Sequence, residues 1–523
     1  MSLIRKWFLW AAGAVLIVLA AFFLTPVQEK KVPEHAAETE SAEGKDRAEK
    51  ATPGNSGKSR ESGNGKEGEQ GPGTSGSAPD QVKKRRRKKP AGRPGPGYPA
   101  EEAPVPEGPA PTDPELVWIA SDLHYVSPKM TDYGPAFRAR LDRDDGKDLE
   151  DSDAILDAWI DEILKARPAT VILSGDLVMD GETVNHRELA SKLERLREDG
   201  ITVLVIPGNH DIRVTYWASS YAGDHQEPAE TPMNADEFLE IWHSFGYDQA
   251  SASDASSLSY VYKTDEKHWF LMLDSAIYEP ETLVEGRIKE ETLRWMEEIL
   301  KEAAEKKAQV IPVAHHNLLY ESRLYRTMCT LNNWQEVTEL LERYKVPLWF
   351  SGHLHLQRIR SHLPEPGADP DQRITEIVNG CFSMVPFPYG VLRLHENGAL
   401  EYRSERVKLP EAVRQNGLDE FRRVIELQTA SGIRGLPDYI TGNMSESYAR
   451  LMERYVSGEK VDARLFREEL GYRMMQKYID PEQSPLLNKV ESILGDTRQE
   501  ALVFSLPGEE TPGDASPGKE EDP

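Results

Sequence analysis

Apolar residues in the middle of this chain fall into short unbroken runs, each ending in polar side chains. "LVWIASD", "ATVILSGD", "TVLVIPGNHD", "HWFLMLDS", "AQVIPVAHHN" and "PLWFSGHLH" read as buried strands, because such runs leave no polar face for solvent and are closed by turn-forming residues. Helical periodicity fills the gaps between them. Ile155, Leu156, Trp159, Ile160, Ile163 and Leu164 make one apolar stripe, and Leu189, Leu193 and Leu196 make another that stops at Gly200. A third helix is expected over residues 289–306, and "ITEIVNGCFS" and "YGVLRLHENGALEYRSERV" read as late strands. Strands alternating with helices predict an α/β core whose ligands gather beyond the carboxyl ends of the strands. From about Pro410 to Leu494 the pattern turns helical, with helices expected near 412–430, 443–457, 460–478 and 484–494.

The termini follow different rules. "WFLWAAGAVLIVLAAFFL" (Trp7 to Leu24) is an uncharged apolar run long enough to cross a bilayer as a helix, with Arg5 and Lys6 before it. Residues 1–24 are therefore expected to be a membrane anchor or signal segment, the N-terminus inside and the bulk of the chain outside the cytoplasm. Residues 25–113 are rich in Pro, Gly, Ser and charge, and read as a tether that cannot bury enough apolar surface to fold. Within it, "KKRRRKK" (Lys83 to Lys89) is either a solvated run or a grip on anionic envelope polymer or lipid headgroups. Globular sequence is expected over 114–408, a helical C-terminal domain over 409–506, and an acidic disordered tail over 507–523.

Bulk composition narrows the function. The 523 residues carry a formal net charge of -26, which repels a phosphate backbone and argues against general nucleic-acid binding. Small anionic substrates remain open, since a metal reverses the local field. Cys329 and Cys381 show no CxxC spacing, so a thiolate zinc site is not expected. They could pair in an oxidising compartment or stay as buried thiols.

The strand tips hold the chemistry. "SDLH" supplies Asp122 and His124, "SGDL" supplies Asp176, and "GNHD" supplies Asn209, His210 and Asp211; "AHHN" supplies His315 and His316, and "GHLH" supplies His353 and His355. Taken singly, each tip is most simply a cap or a packed histidine. Together they offer imidazole, carboxylate and amide donors without thiolate, a set that suits Mn, Fe, Zn or Co. So many donors exceed the needs of one open site and suit two divalent or trivalent ions sharing a carboxylate.

In order and spelling, "DLH … GDL … GNHD … H … GHLH" resembles the calcineurin-like metallophosphoesterases over roughly residues 114–405. The wording around "SDLHYVSP" and "AHHNLLY" looks most like bacterial exported cyclic-nucleotide phosphodiesterases of that type. The resemblance implies two packed mixed β-sheets flanked by helices, here with a small helical C-terminal extension. It also implies that Asp122, His124 and His355 hold one metal, that Asp176 bridges, and that Asn209, His315 and His353 complete the second. His210 would stand beside the scissile bond, with Asp211 accepting from its imidazole. Asn317 stands where the family usually has proline, which leaves His316 as the alternative to His315. The implied reaction is hydrolysis of a small phosphate ester by water activated between two metals, a cyclic or linear phosphodiester first and a phosphomonoester, including protein phosphate, as the alternative. The rival outside enzymology is an anchored surface protein that binds a partner through its helical region.

Other residues carry bland expectations. Asn332 and Asn333 are expected to cap the helix starting near Trp334 or to contact substrate, His186 is expected on the surface, and Tyr125 is expected to pack or to line the pocket.

Overall fold

The computed structural model describes residues 110–212, 218–228, 233–325, 327–362, 373–433, 435–482, 484–496 and 501–508. The apolar run Trp7 to Leu24 and the basic run Lys83 to Lys89 lie outside these residues. No helix among the described residues is long and apolar enough to cross a membrane.

The apolar runs form strands, and the strands form two large mixed sheets. In the first, the order is β15 (Val503–Leu506), β14 (Leu400–Arg406), β13 (Pro388–Leu394), β1 (Asp113–Ala120), β2 (Pro168–Ser174) and β3 (Thr202–Ile206). β1, β2 and β3 run parallel, and β13 to β15 continue the sheet antiparallel. In the second, the order is β11 (Arg358–His362), β12 (Ile374–Val378), β10 (Leu348–Ser351), β9 (Gln309–Ala314), β8 (His268–Leu273), β7 (Tyr260–Lys263) and β6 (Ala252–Ser253). Here β8, β9, β10 and β12 are parallel. A hairpin of β4 (Ser219–Ala222) and β5 (His225–Pro228) stands apart.

Alternation along each strand explains why the runs are apolar throughout. Val117 and Ile119 face the other sheet, meeting Phe270, Ile311, Val313 and Phe350, while Trp118 and Ala120 face outward into helices. A strand covered on both faces has no position left for a polar residue. On the outer face of the first sheet lie α2 (Ser152–Ala166) and α3 (Thr183–Glu198), carrying the predicted stripes. α1 (Pro135–Leu141) and α4 (Ala235–Trp242) sit nearby in the chain. α5 (Glu290–Lys306) and α6 (Trp334–Arg343) cover the second sheet through Met296, Leu300, Val337 and Leu341.

The C-terminal helices are α7 (Glu411–Gly432), α8 (Asp438–Val456), α9 (Ala463–Glu468), α10 (Leu470–Tyr478) and α11 (Leu486–Leu494). Their apolar faces, with Phe421, Tyr448 and Leu451 buried, join the outer core of the first sheet. Two expectations change. The helix expected over 460–478 is split at Glu469, whose backbone is extended. The break lets Gly471 press on α8, where a Cβ would lie 2.2 Å from Ser447 Oγ. Residues 503–506, expected in the helical region, instead pair with β14 and extend the first sheet.

Candidate metal centre

Every strand-tip motif ends a parallel strand: Asp122 follows β1, Asp176 follows β2, Asn209 follows β3, His315 follows β9, and His353 follows β10. The two sheets point these ends at one place and are stitched there. Backbone N–H of Asp122 donates to the Gly175 carbonyl at 3.1 Å, and that of His124 to the Asp176 carbonyl at 3.0 Å. His353 N–H crosses between the sheets to Asp122 Oδ2 at 3.0 Å. Space is so short that a Cβ on Gly352 would lie 1.7 Å from Ser121 Oγ, and one on Gly208 2.3 Å from Asp176 Oδ1. Asp122, His124, Asp176, His353 and His355 all have positive φ, between 42° and 65°. Non-glycine residues adopt this region only where surroundings impose it, and such strain concentrates at functional sites.

The side chains converge into two groups that share Asp176. Asp122, His124, Asp176 and His355 form one, and Asp176, His315 and His353 the other, with ligand atoms within 4.8 Å of one another. His355 Nε2 stands 3.2 Å from His124 Nε2 and 3.3 Å from Asp122 Oδ1. His315 Nε2 stands 3.2 Å from both Asp176 Oδ2 and Asn209 Oδ1, adding Asn209 to the second group.

The tautomers decide whether this donor set fits cations. His315 Nδ1–H donates to the Ser174 carbonyl at 3.0 Å, and His353 Nε2–H to the Met328 carbonyl at 2.9 Å. His355 Nδ1–H donates to Asp145. An imidazole that donates from one nitrogen offers a lone pair at the other. Lone pairs, carboxylates and an amide oxygen therefore face each other in a buried space, an arrangement that a cation satisfies and that is repulsive otherwise. His315 shows the same demand for positive charge: burial opposes its protonation, yet Asp176 and Asp122 outweigh burial and push it up to about 9. The set fits two metal ions. His316 takes no part, because Ser275 Oγ holds its Nδ1 at 2.9 Å and the Val284 carbonyl its Nε2 at 3.1 Å. Asn317 ties this loop to the other one, donating to Ser351 Oγ and the Gly352 carbonyl.

His210 and Asp211 divide differently from the sequence expectation. The His210 ring lies 4.9 Å from that of His124, beside the first group. Its Nδ1 meets Asp180 Oδ1 at 2.9 Å and the Met179 carbonyl at 2.8 Å, so Asp180 is the orienting carboxylate and not Asp211. Burial opposes protonation of His210, but Asp176 and Asp180 outweigh it and hold the imidazole above its ordinary value. Asp211 turns inward, accepting N–H from Leu177, Val178 and Gly208, and fixes the "GNHD" turn to the "SGDL" turn. A carboxylate one residue from the imidazole cannot both reach back to those amides and face the ring.

Asp180 lies four residues after Asp176, and that spacing is the signal that could have found it. Asp145 also reaches the centre, bonded to His355 Nδ1, with Lys147 beside it on the same loop. Cys381 lies within 4.8 Å of the His124 and His355 ligand nitrogens, so a thiol does stand at the first group despite the missing CxxC. Both cysteines are free and buried.

The remaining expectations resolve simply. His186 is buried rather than on the surface, holding the Asp211 carbonyl at 3.1 Å and receiving Trp242 Nε1–H. Asn333 makes no side-chain cap; its amide bonds the backbone of Ile288 in both directions. Tyr125 is packed, with its hydroxyl on Asp153. A cavity of about 570 Å³ lies beyond Met328, lined also by Tyr320, Leu331, Trp334, Arg360 and His362.

Residues 116–357 match the model of the calcineurin-like phosphoesterase family. A probable cyclic nucleotide phosphodiesterase from Xenorhabdus bovienii is 23% identical over 192 residues, which is 37% of this chain and 63% of that relative's length. Among solved structures, a dimetal phosphatase from Danio rerio aligns with a TM-score of 0.39 at 14% identity, covering 57% of this chain and 98% of its own. A purple acid phosphatase from yellow lupin (Lupinus luteus) seeds aligns with a TM-score of 0.35 at 14% identity, covering 56% of this chain and 51% of its own. The likeness to the calcineurin-like phosphoesterases is carried by the domain at residues 116–357, which holds every one of the strand-tip motifs.

Proposed function

We propose that this protein hydrolyses small phosphodiesters, cyclic nucleotides among them, in a metal-dependent reaction. The observation that carries the reading is the meeting of two donor groups on one carboxylate, Asp176, with the His210 ring alongside. Asp122, His124, Asp176 and His355 would hold one ion, and Asp176, Asn209, His315 and His353 the other. Bound ions of this kind supply Lewis acidity toward a phosphoryl oxygen and lower the pKa of water. The protein's own residues do the rest. His210 carries a proton that Asp180 stabilises, and gives it to the departing oxygen of the ester. Asn209 donates a neutral oxygen, which limits the negative charge that an incoming phosphate meets. Ser174, Met328 and Asp145 fix the ligand imidazoles before substrate arrives, so that little reorganisation is left to the reaction.

The choice of a phosphodiester is supported by the Xenorhabdus relative's description. The cavity beyond Met328 offers room for its organic part. An anchored position outside the cytoplasm belongs to the same proposal, supported by the apolar run Trp7 to Leu24. The test is a substrate panel on the full chain with Mn(II): bis(p-nitrophenyl) phosphate and cyclic nucleotides against phosphomonoesters, with and without chelator. Turnover of diesters that chelator abolishes is expected. Preference for monoesters would move the substrate to the alternative class, and no turnover with any of several divalent metals would leave a binding protein.

A further inference from the structure

The loop between α1 and α2, residues 142–151, carries charges that composition alone would leave in solvent. Instead, with Arg140 and Asp180, they form one continuous chain that is in part buried and in part half-buried. His210 Nδ1 meets Asp180 Oδ1 at 2.9 Å, and Asp180 Oδ2 meets Arg140 Nη2 at 3.3 Å. Arg140 Nη1 meets Asp144 Oδ2 at 2.9 Å, and Asp144 Oδ1 meets Lys147 Nζ at 2.5 Å. Lys147 Nζ reaches Asp145 Oδ1 at 2.7 Å, and Asp145 Oδ2 closes on His355 Nδ1. Signs alternate along the whole path, so each charge is compensated by its neighbours, and Lys147 is only 6% exposed. The chain starts at the imidazole beside the first ligand group and ends on a ligand of that same group.

The C-terminal helix α7 holds this loop in place. Gly146, at φ +97°, lies under Phe421, where a Cβ would sit 2.8 Å from the ring. Gln428 Nε2 donates to the Asp144 carbonyl at 2.5 Å, and Arg423 pairs with Asp142 at 2.7 Å. Asn416 donates to Asp151 at 3.1 Å, and Glu420 pairs with Arg138 at 2.8 Å. Contacts therefore run along most of the helix and along both ends of the loop.

We infer that Asp145 and Lys147 are positioning residues for the metal centre, and that the helical C-terminal region serves as the clamp that presents them. Asp145 fixes the tautomer and plane of His355, Lys147 fixes Asp145, and α7 fixes the backbone that carries both. The inference rests on the two-metal reading above. It assigns the C-terminal helices a part in building the site rather than in recognising a separate partner.

The test uses the full chain and counts metal directly. Mn(II) binding is followed by equilibrium dialysis and by electron paramagnetic resonance, which separates a spin-coupled pair from isolated ions. The unsubstituted chain should bind a coupled pair. Asp145→Asn should weaken one of the two ions by about 10- to 100-fold, the usual effect of removing an outer partner of a ligand histidine. Its spectrum should become that of an isolated ion at equimolar metal. Lys147→Met should do the same without altering any atom bonded to a ligand, and it carries the test if Asp145→Asn does not fold. Either folded variant keeping both ions at wild-type affinity, with a coupled spectrum, overturns the inference. An unsubstituted chain that binds no pair overturns the metal reading itself, and that failure is distinct because it precedes any substitution.

Discussion

Asp180 and Asp211 are both aspartates beside His210, and the structure assigns them opposite duties, so exchanging each for asparagine separates the duties. Asp211 is fully buried and accepts three amide hydrogens: Leu177 at 2.9 Å and Val178 at 3.2 Å on Oδ1, and Gly208 at 2.7 Å on Oδ2. In Asp211→Asn the carbonyl keeps the first two, but the amide nitrogen then faces the Gly208 N–H, donor against donor. The variant loses that bond and leaves a buried N–H unpaired, which costs about 1–3 kcal/mol. In Asp180→Asn the carbonyl can keep His210, and Arg140, which is partly exposed and still paired with Asp144, is not left without a partner, so stability falls less. What goes is the carboxylate that holds the imidazole proton, and kcat should drop about 10- to 100-fold. The assay pairs urea unfolding midpoints with Mn(II)-dependent turnover of bis(p-nitrophenyl) phosphate. Asp211→Asn should move the midpoint most and Asp180→Asn should move kcat most. Wild-type stability in Asp211→Asn, combined with a larger kcat loss than in Asp180→Asn, would refute this division.

Three further predictions follow from the same geometry. His210→Ala should keep its bound metal while kcat falls by about 10²- to 10⁴-fold, the range for a general acid, as read by metal analysis beside turnover. Gly352→Ala should cost about 1–3 kcal/mol by overpacking, and by displacing His353 should also weaken metal binding, both measurable on one preparation. Glu376 gives a pH test away from the metal centre: burial pushes its carboxyl up to about 7, with the Ser351 hydroxyl and the Leu319 and Leu318 amides opposing. Its folded-state value lies above its unfolded one, so the folded chain holds the proton more tightly and stability falls as pH climbs from about 4.5 to about 7, levelling above. Glu376→Gln should remove up to roughly 3 kcal/mol of that fall, and an unchanged slope would show that Glu376 is not the group responsible.

Much of this molecule is legible before any coordinates because its central strands are sandwiched. Val117 and Trp118 serve two different cores, so the run that contains them has no polar gap and stands out from the surrounding charge. β11, "RIRSH", and β15, "VFSL", lack that signature, because an edge strand takes its place from the strand it pairs with. The strand tips are legible for a related reason: a histidine or aspartate at the end of an apolar run contrasts with what precedes it. Asp145 and Lys147 have no such contrast. They sit among acidic neighbours in a chain with 89 Asp and Glu residues, and only the packing of a helix nearly three hundred positions later turns them inward. Asp211, the sequence neighbour of His210, turns to the amides of Leu177, Val178 and Gly208 instead, because adjacency in sequence is not adjacency in space. Asp180, thirty positions away, has the better approach to the imidazole.

The left-handed backbone at Asp122, His124, Asp176, His353 and His355 has a consequence for variation. Among residues with a β-carbon, aspartate, asparagine and histidine tolerate this conformation best, whereas branched side chains resist it. A library randomised at these five positions would therefore be filtered twice, once by folding and once by activity. Valine and isoleucine should vanish in the first filter, while glycine should pass it and fall in the second. Comparing survivors of a folding screen with survivors of an activity screen would show which demand is the stricter at each position.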